Sequence, residues 1–190
     1  MRDAVVALVV LFATASAIAA QERYVRAEEN QNHELVITTA TGERIVLPKS
    51  DRKWPGDDGE QVAFEDIAIS PDHSAVGWVS YYANCCTSYP IPILVEVYSA
   101  GQRRIFDPAI APWHWCFVDG SAKIAAVSTT VHGPQQQVLE LWDIATGARL
   151  EDFTWMDDGT KYPRAPAWVV SLRGEYSKPR ESRTHICGRP

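Results

Sequence analysis

Residues 116–153 read CFVDGSAKIAAVSTTVHGPQQQVLELWDIATGARLEDF. An Asp119-Gly120 turn precedes an apolar run over residues 123–130, and a polar gap follows at 132–137. Residues 138–144 form a second β-rich run, Thr146-Gly147 a second turn, and residues 148–153 a third run. Each run is short and is bounded by residues that favour tight turns, which is the pattern of a small antiparallel meander.

The same pattern lies upstream. Asp72-His73-Ser74-Ala75 matches Asp119-Gly120-Ser121-Ala122, and each is followed by an apolar run ending in Val-Ser, at Val79-Ser80 and Val127-Ser128. Val95-Glu96-Val97-Tyr98 matches Leu139-Glu140-Leu141-Trp142, and each precedes a glycine turn and a strand carrying arginine, Arg103-Arg104 and then Arg149. Leu35-Val36-Ile37, with Thr41-Gly42-Glu43-Arg44-Ile45, repeats the second half only. Order and spacing are both kept, the mark of an internal structural repeat.

The remaining segments fit an all-β chain. Strands are expected at 34–40 and 43–48 about Thr41-Gly42, at 62–70 and 75–82, and at 93–99 and 103–106 about Ala100-Gly101. A further strand is expected at 167–172. No window keeps helical spacing without Gly, Pro or a β-branched run, so no helix is expected after residue 21. The predicted organisation is a signal segment at 1–20, a flexible segment at 21–33, one β domain at 34–175 and a polar tail at 176–190.

Leu139-Glu140-Leu141-Trp142-Asp143-Ile144-Ala145-Thr146-Gly147 resembles the last two strands of a WD-repeat or quinoprotein-type propeller blade. Ile67-Ala68-Ile69-Ser70-Pro71-Asp72-His73 resembles the strand-and-turn signature of TolB-like blades, with His73 where that family usually has glycine. The likeness covers residues 34–153, about two and a half blades. The Gly-His pair that precedes a WD blade is absent, and a closed ring needs about four blades or more. The resemblance therefore implies antiparallel meanders resembling β-propeller blades, in an incomplete or open propeller-like arrangement. It carries no activity.

Composition narrows the partners and the compartment. The chain has 190 residues, 46% hydrophobic and 22% charged, with a net charge of -6. Lysines and arginines are scattered, so nucleic acid is not an expected partner. Arg2, the apolar residues 4–12 and Ala17-Ile18-Ala19-Ala20 have the order of a cleaved secretory signal, with an uncleaved anchor as the alternative. A secreted or periplasmic location is expected, with no membrane span after signal cleavage. In an oxidising compartment Cys85, Cys86, Cys116 and Cys187 read as two disulfides. A vicinal Cys85–Cys86 bridge needs a strained ring. Cys116 is therefore expected to pair with Cys85 or Cys86, and Cys187 with the other.

Candidate sites are few. Trp113 and Trp115 alternate with His114 and Cys116, so an extended strand places the two indoles on one face. They are either a stacking platform for a sugar or a Pro-rich peptide, or filling between sheets with His114 near a disulfide. Trp54 and Tyr89 lie in loops expected along one edge of the sheets, at 54–59 and 83–92, with a third loop at 132–137. Asp57-Asp58-Gly59 and Asp157-Asp158-Gly159 are acidic turns without the spaced ligands of a calcium loop. No nucleophile elbow, zinc helix or phosphate loop is present, and no catalytic residue, metal or cofactor is expected. The function expected is a non-catalytic binding or structural module whose partner is a protein or a glycan, with self-association through open sheet edges a second route. The alternative is a secreted hydrolase with its site in the loops.

Overall fold

The computed structural model describes residues 23–53, 59–84, 88–130, 136–156 and 162–188. Three antiparallel meanders follow one another along the chain. The first joins β1 (Tyr24–Glu29), β2 (Leu35–Thr39) and β3 (Arg44–Leu47). The second joins β4 (Gln61–Ile69), β5 (Ala75–Tyr82), β6 (Ile91–Ser99) and β7 (Gln102–Phe106). The third joins β8 (Pro112–Val118), β9 (Lys123–Thr129), β10 (Gln136–Asp143) and β11 (Arg149–Met156). Strands pair in sequence order within each sheet, and no sheet closes on itself. The arrangement is an all-β, open and blade-like one, as the turn spacing predicts.

The period of two decides how the sheets stack. In β5, Ala75 and Val79 join a core with Trp115, Phe117, Ile124, Ala126 and Trp142 of the third sheet. Their neighbours Val76 and Trp78 point the other way, into a core with Tyr24, Leu35 and Ile37 of the first sheet. The second sheet is thus covered on both faces, which is why β5 and β6 read as nearly continuous apolar runs. In β9 and β10 the same alternation sends Ala125, Val127, Leu139 and Leu141 to the far face of the third sheet.

That face is covered by a helix, where a strand is predicted. Residues 167–176 form α1 (Ala167–Tyr176), with Trp168, Val169 and Leu172 buried. Val170, which a strand would put on the same face as Trp168 and Leu172, is 56% exposed. The Val169-Val170 pair and Gly174 argue locally against a helix. The apolar face of the third sheet overrides them, because Trp168, Val169 and Leu172 meet it together only at helical spacing. Tyr24–Glu29, expected to be loose, is strand β1, anchored by Tyr24 with no exposed surface.

The tail also departs from expectation. Cys116 pairs with Cys187, not with Cys85 or Cys86, at an S–S distance of 2.02 Å. After α1 the chain turns back along the free edge of β8. The Phe117 amide donates to the His185 carbonyl and the Cys187 amide to the Phe117 carbonyl, both at 2.8 Å. This short parallel bridge carries Cys187 to Cys116, a return route that no local signal in the tail announces. Cys85 and Cys86 lie outside the described residues, as do Trp54, His132, the acidic residues 57–58 and 157–158, and the signal segment.

Two consequences can be measured. The Trp115 ring lies on the Gly77 backbone, and a Cβ there would meet ring atoms at 2.4–3.0 Å. Gly77→Ala should lower stability by about 1–3 kcal/mol, the usual penalty of overpacking, as a shift of the urea midpoint. The disulfide closes a loop with a sequence separation of 71. Replacing both Cys116 and Cys187 by Ser should cost about 4 kcal/mol in the chain-entropy model, again read as a shift of the urea midpoint.

Candidate functional site

Three groups of polar side chains interrupt the apolar layers. The first is a buried carboxylate that recurs in successive sheets. Glu96 on β6 and Glu140 on β10 are both wholly buried. Arg103 on β7 grips both oxygens of Glu96, with its Nη2 3.1 Å from Oε1, and Ser80 donates to the same carboxylate. Arg103 also reaches the Pro48 carbonyl at 2.7 Å, at the end of the first sheet, and its guanidinium lies 5.6 Å from the Trp78 ring centre. Glu140 accepts from Arg149 Nη1 at 2.9 Å and from the Ala109 amide at 3.0 Å, in the segment that joins the second and third sheets. Each acid therefore ties its own outer strand to chain arriving from the preceding sheet. Among the described residues no sheet precedes the first, which carries Val36 at the matching place in the repeat.

The second group is the matched turn. Asp72 accepts from Ser70 at 2.7 Å, from the Ser74 amide and hydroxyl, and from Ser121 of the other copy at 2.5 Å. Ser74 and Ser121, equivalent in the two repeats, touch at 2.6 Å. Partial burial pushes the Asp72 carboxyl up, but the hydrogen bonds from Ser121, Ser70 and Ser74 outweigh it and hold its pKa at about 2. His73 takes φ +64°, the left-handed conformation that glycine adopts at low cost. Its imidazole serves a purpose glycine cannot. Nδ1 donates to the Tyr24 carbonyl at 2.9 Å while the Tyr24 amide donates to the His73 carbonyl at 2.8 Å, so the turn clamps β1.

The third group lies where the tail meets β8. His114 is 1% exposed and its ring centre is 5.1 Å from that of His185, which in turn lies 4.8 Å from the Trp115 ring. His185 Nδ1 donates to the Trp115 carbonyl at 2.9 Å, whereas His114 Nε2 is buried without a partner. Burial, with His185 and Arg183 beside it, pushes the His114 imidazole down to about 3, and burial lowers His185 as well. Arg180 reaches Glu65 and Asp66 on β4, each at 3.2 Å. Asp66 sits at φ +50° within a break in the β4–β5 register.

At one end of the stack the surface is concave. A cavity of about 140 Å³ has Tyr82, Ile93, Leu94 and Ile110 on its walls, with Arg52, Lys53 and Asp107 among its polar lining. Arg52 pairs with Asp107, and Lys53 with Glu60 at 3.3 Å. A neighbouring depression of about 220 Å³ is lined by Val62, Ala83, Asn84, Ser88, Tyr89 and Pro90. Tyr89 is 47% exposed there. Trp113 is half-buried at the same end, its indole N–H donating to the Thr129 carbonyl at 3.2 Å. Trp115 is fully buried between sheets and presents no ring face to solvent. Tyr89 and Trp113 therefore reach this end of the stack, Trp115 does not, and Trp54 lies outside the described residues. The sequence missed the Ile93–Ile110 wall, because its apolar residues come from separate elements and read locally as strand.

Among the described residues no group of three or more His, Cys, Asp or Glu side chains could hold a metal ion. No described helix is long and apolar enough to cross a membrane. The chain matches no family model, no curated protein and no solved structure.

The buried acids give a graded prediction. The Arg103 side chain is 19% exposed and Arg149 56%. Arg103→Ala strands Glu96 in the interior and should cost about 3 kcal/mol or more. Arg149→Ala leaves Glu140 within reach of solvent and should cost distinctly less. Paired thermal melts of the two variants, with Arg103→Lys as an intermediate case, check the order.

Proposed function

We propose that the chain is an exported, non-catalytic binding module that holds a protein partner through the concave end of its sheet stack. The observation that carries this reading is the size and lining of the cavity at that end. Sites that enclose a small ligand run to roughly 300–1,000 Å³, and about 140 Å³ with an apolar wall suits one anchoring side chain. Anchors of this kind dominate the energetics of protein interfaces. The polar groups beside it, Arg52 with Asp107 and Lys53 with Glu60, are already paired and supply a rim.

Export rests on the charged, apolar and small-residue order of residues 1–20, and the Cys116–Cys187 bridge is compatible with an oxidising compartment. Kinship with WD or TolB-like blades belongs to the same proposal. Two four-stranded meanders and a three-stranded one support it, as does the shared Ser-Pro-Asp turn.

The test uses the full exported chain as bait against envelope or culture-medium proteins, with chemical cross-linking. Ile110→Glu with Tyr89→Ala should reduce capture of a specific partner at least tenfold while leaving the melting curve in place. Undiminished capture by that variant moves the binding surface elsewhere. Turnover of a glycoside or ester panel that a single Asp, Glu or His substitution abolishes establishes the hydrolase instead.

A further inference from the structure

The junction between the tail and β8 brings two imidazoles into ring contact. His114 has no route to solvent and an orphaned nitrogen. His185 is pressed between the His114 and Trp115 rings. Their surroundings come from four elements. β4 contributes Asp66, α1 contributes Glu175, the tail contributes Arg183, and β8 contributes the carbonyl of Trp115. Glu175 is already committed, accepting from Lys178 Nζ at 2.6 Å and from the Thr184 amide at 2.9 Å. Asp66 is likewise engaged by Arg180 at 3.2 Å. Neither carboxylate makes a direct bond to an imidazole, and Arg183 opposes added positive charge.

A proton on His114 therefore places a cation in a pocket closed to solvent, next to a second, partly buried imidazole. The tail is held here by a short set of bonds: the Phe117 amide to the His185 carbonyl, the Cys187 amide to the Phe117 carbonyl, His185 Nδ1 to the Trp115 carbonyl, the Thr184 amide to Glu175 and the Gly188 amide to Ser171, with a bond between His114 and the Thr184 backbone and the ring contacts beside them. Breaking them uncovers His114 and the side of the Trp115 ring that His185 touches, while Phe117, Trp115 and Ile124 keep their packing against the second sheet.

We propose that residues 183–186 form an acid-released latch, in which protonation of the His114–His185 pair lifts the tail from β8 while the Cys116–Cys187 bond keeps it tethered. The sign follows from proton uptake. Above about pH 6.5 the rings are neutral whether the tail is docked or lifted, so docking is unaffected. Below that value the lifted form gains protons that the docked form refuses, and docking weakens about tenfold per pH unit through His114, with a further loss in the same direction from His185. With His114 held at about 3 when docked, that histidine alone shifts the equilibrium about 100-fold toward release by pH 4.5. The tether makes the change reversible, because the lifted segment stays close to β8.

Amide hydrogen exchange on the intact, oxidised chain tests this, with rates corrected for their intrinsic pH dependence. Between pH 7 and pH 4.5 the Phe117 amide, which points at the tail, should lose about 100-fold in protection. The central amides of β5 and β9 should keep theirs. Ring proton shifts of His114 and His185 should titrate together with the loss at Phe117. His114→Phe with His185→Phe should abolish the pH dependence. If that variant does not fold, the wild-type comparison decides alone. Unchanged protection at Phe117, a loss shared equally by β5 and β9, or ring titration at a pH unrelated to the Phe117 loss would each overturn the latch.

Discussion

Glu96 has no exposed surface, and the guanidinium of Arg103 is what allows a carboxylate to remain there. An unpaired charge at that depth would be costly enough to force the sheets apart or the proton on. The repeat solves the problem the same way twice. Glu140 on β10 meets Arg149 on β11, and each pair also engages the segment that brings the chain from the preceding sheet, through Arg103 in the first case and through Glu140 itself in the second. A meander can twist and slide on its neighbour as long as only apolar surface is involved, because hydrophobic contact is non-directional. The Glu–Arg pairs add the direction. They fix which outer strand faces which linker, and so the order and spacing of the layers.

The apolar contacts then set the depth of the stack. Trp115 fills the space left by the missing side chain of Gly77, and Ser74 meets Ser121 where the two matched turns come together. The second sheet spends both faces on its neighbours, and the third spends its outer face on α1. Stacking of this kind does not end by itself, since each blade-like sheet offers an apolar face to the next. At the C-terminal end the helix covers that face. At the N-terminal end the first sheet turns outward Arg26 and Glu28, paired at 2.7 Å. Those charges cover that face in part, with Val46 beside them 48% exposed.

The proposed binding surface and the proposed latch both lie at the margins of this arrangement. Among the described residues the buried Glu–Arg pairs hold layers together, while Tyr89 and Ile110 at the concave end and the tail along β8 lie outside those contacts. The two differ in kind. The concave end is a surface of mixed residues from several loops. The tail junction is a small set of buried titratable rings held by a few hydrogen bonds and a disulfide.

How much of this was legible can be argued residue by residue. The turns at Thr41-Gly42, Ala100-Gly101, Asp119-Gly120 and Thr146-Gly147 marked the hairpins, because a tight turn needs residues that tolerate positive φ, and all four glycines adopt it. The matched Glu96 and Glu140 marked the repeat, and the alternation about Trp115 and Cys116 marked the two faces of β8. These are local or periodic properties, and sequence carries them directly. Helix α1 and the partner of Cys116 were not legible, whereas one of the two readings of the Trp113–Cys116 alternation already set His114 near a disulfide. Trp168, Val169 and Leu172 become a helix because an apolar sheet face already exists for them to cover, and Cys187 reaches Cys116 because that helix turns the chain back along β8. Each of those outcomes depends on surfaces that only the assembled layers provide, far apart in sequence, and no short-range pattern records them.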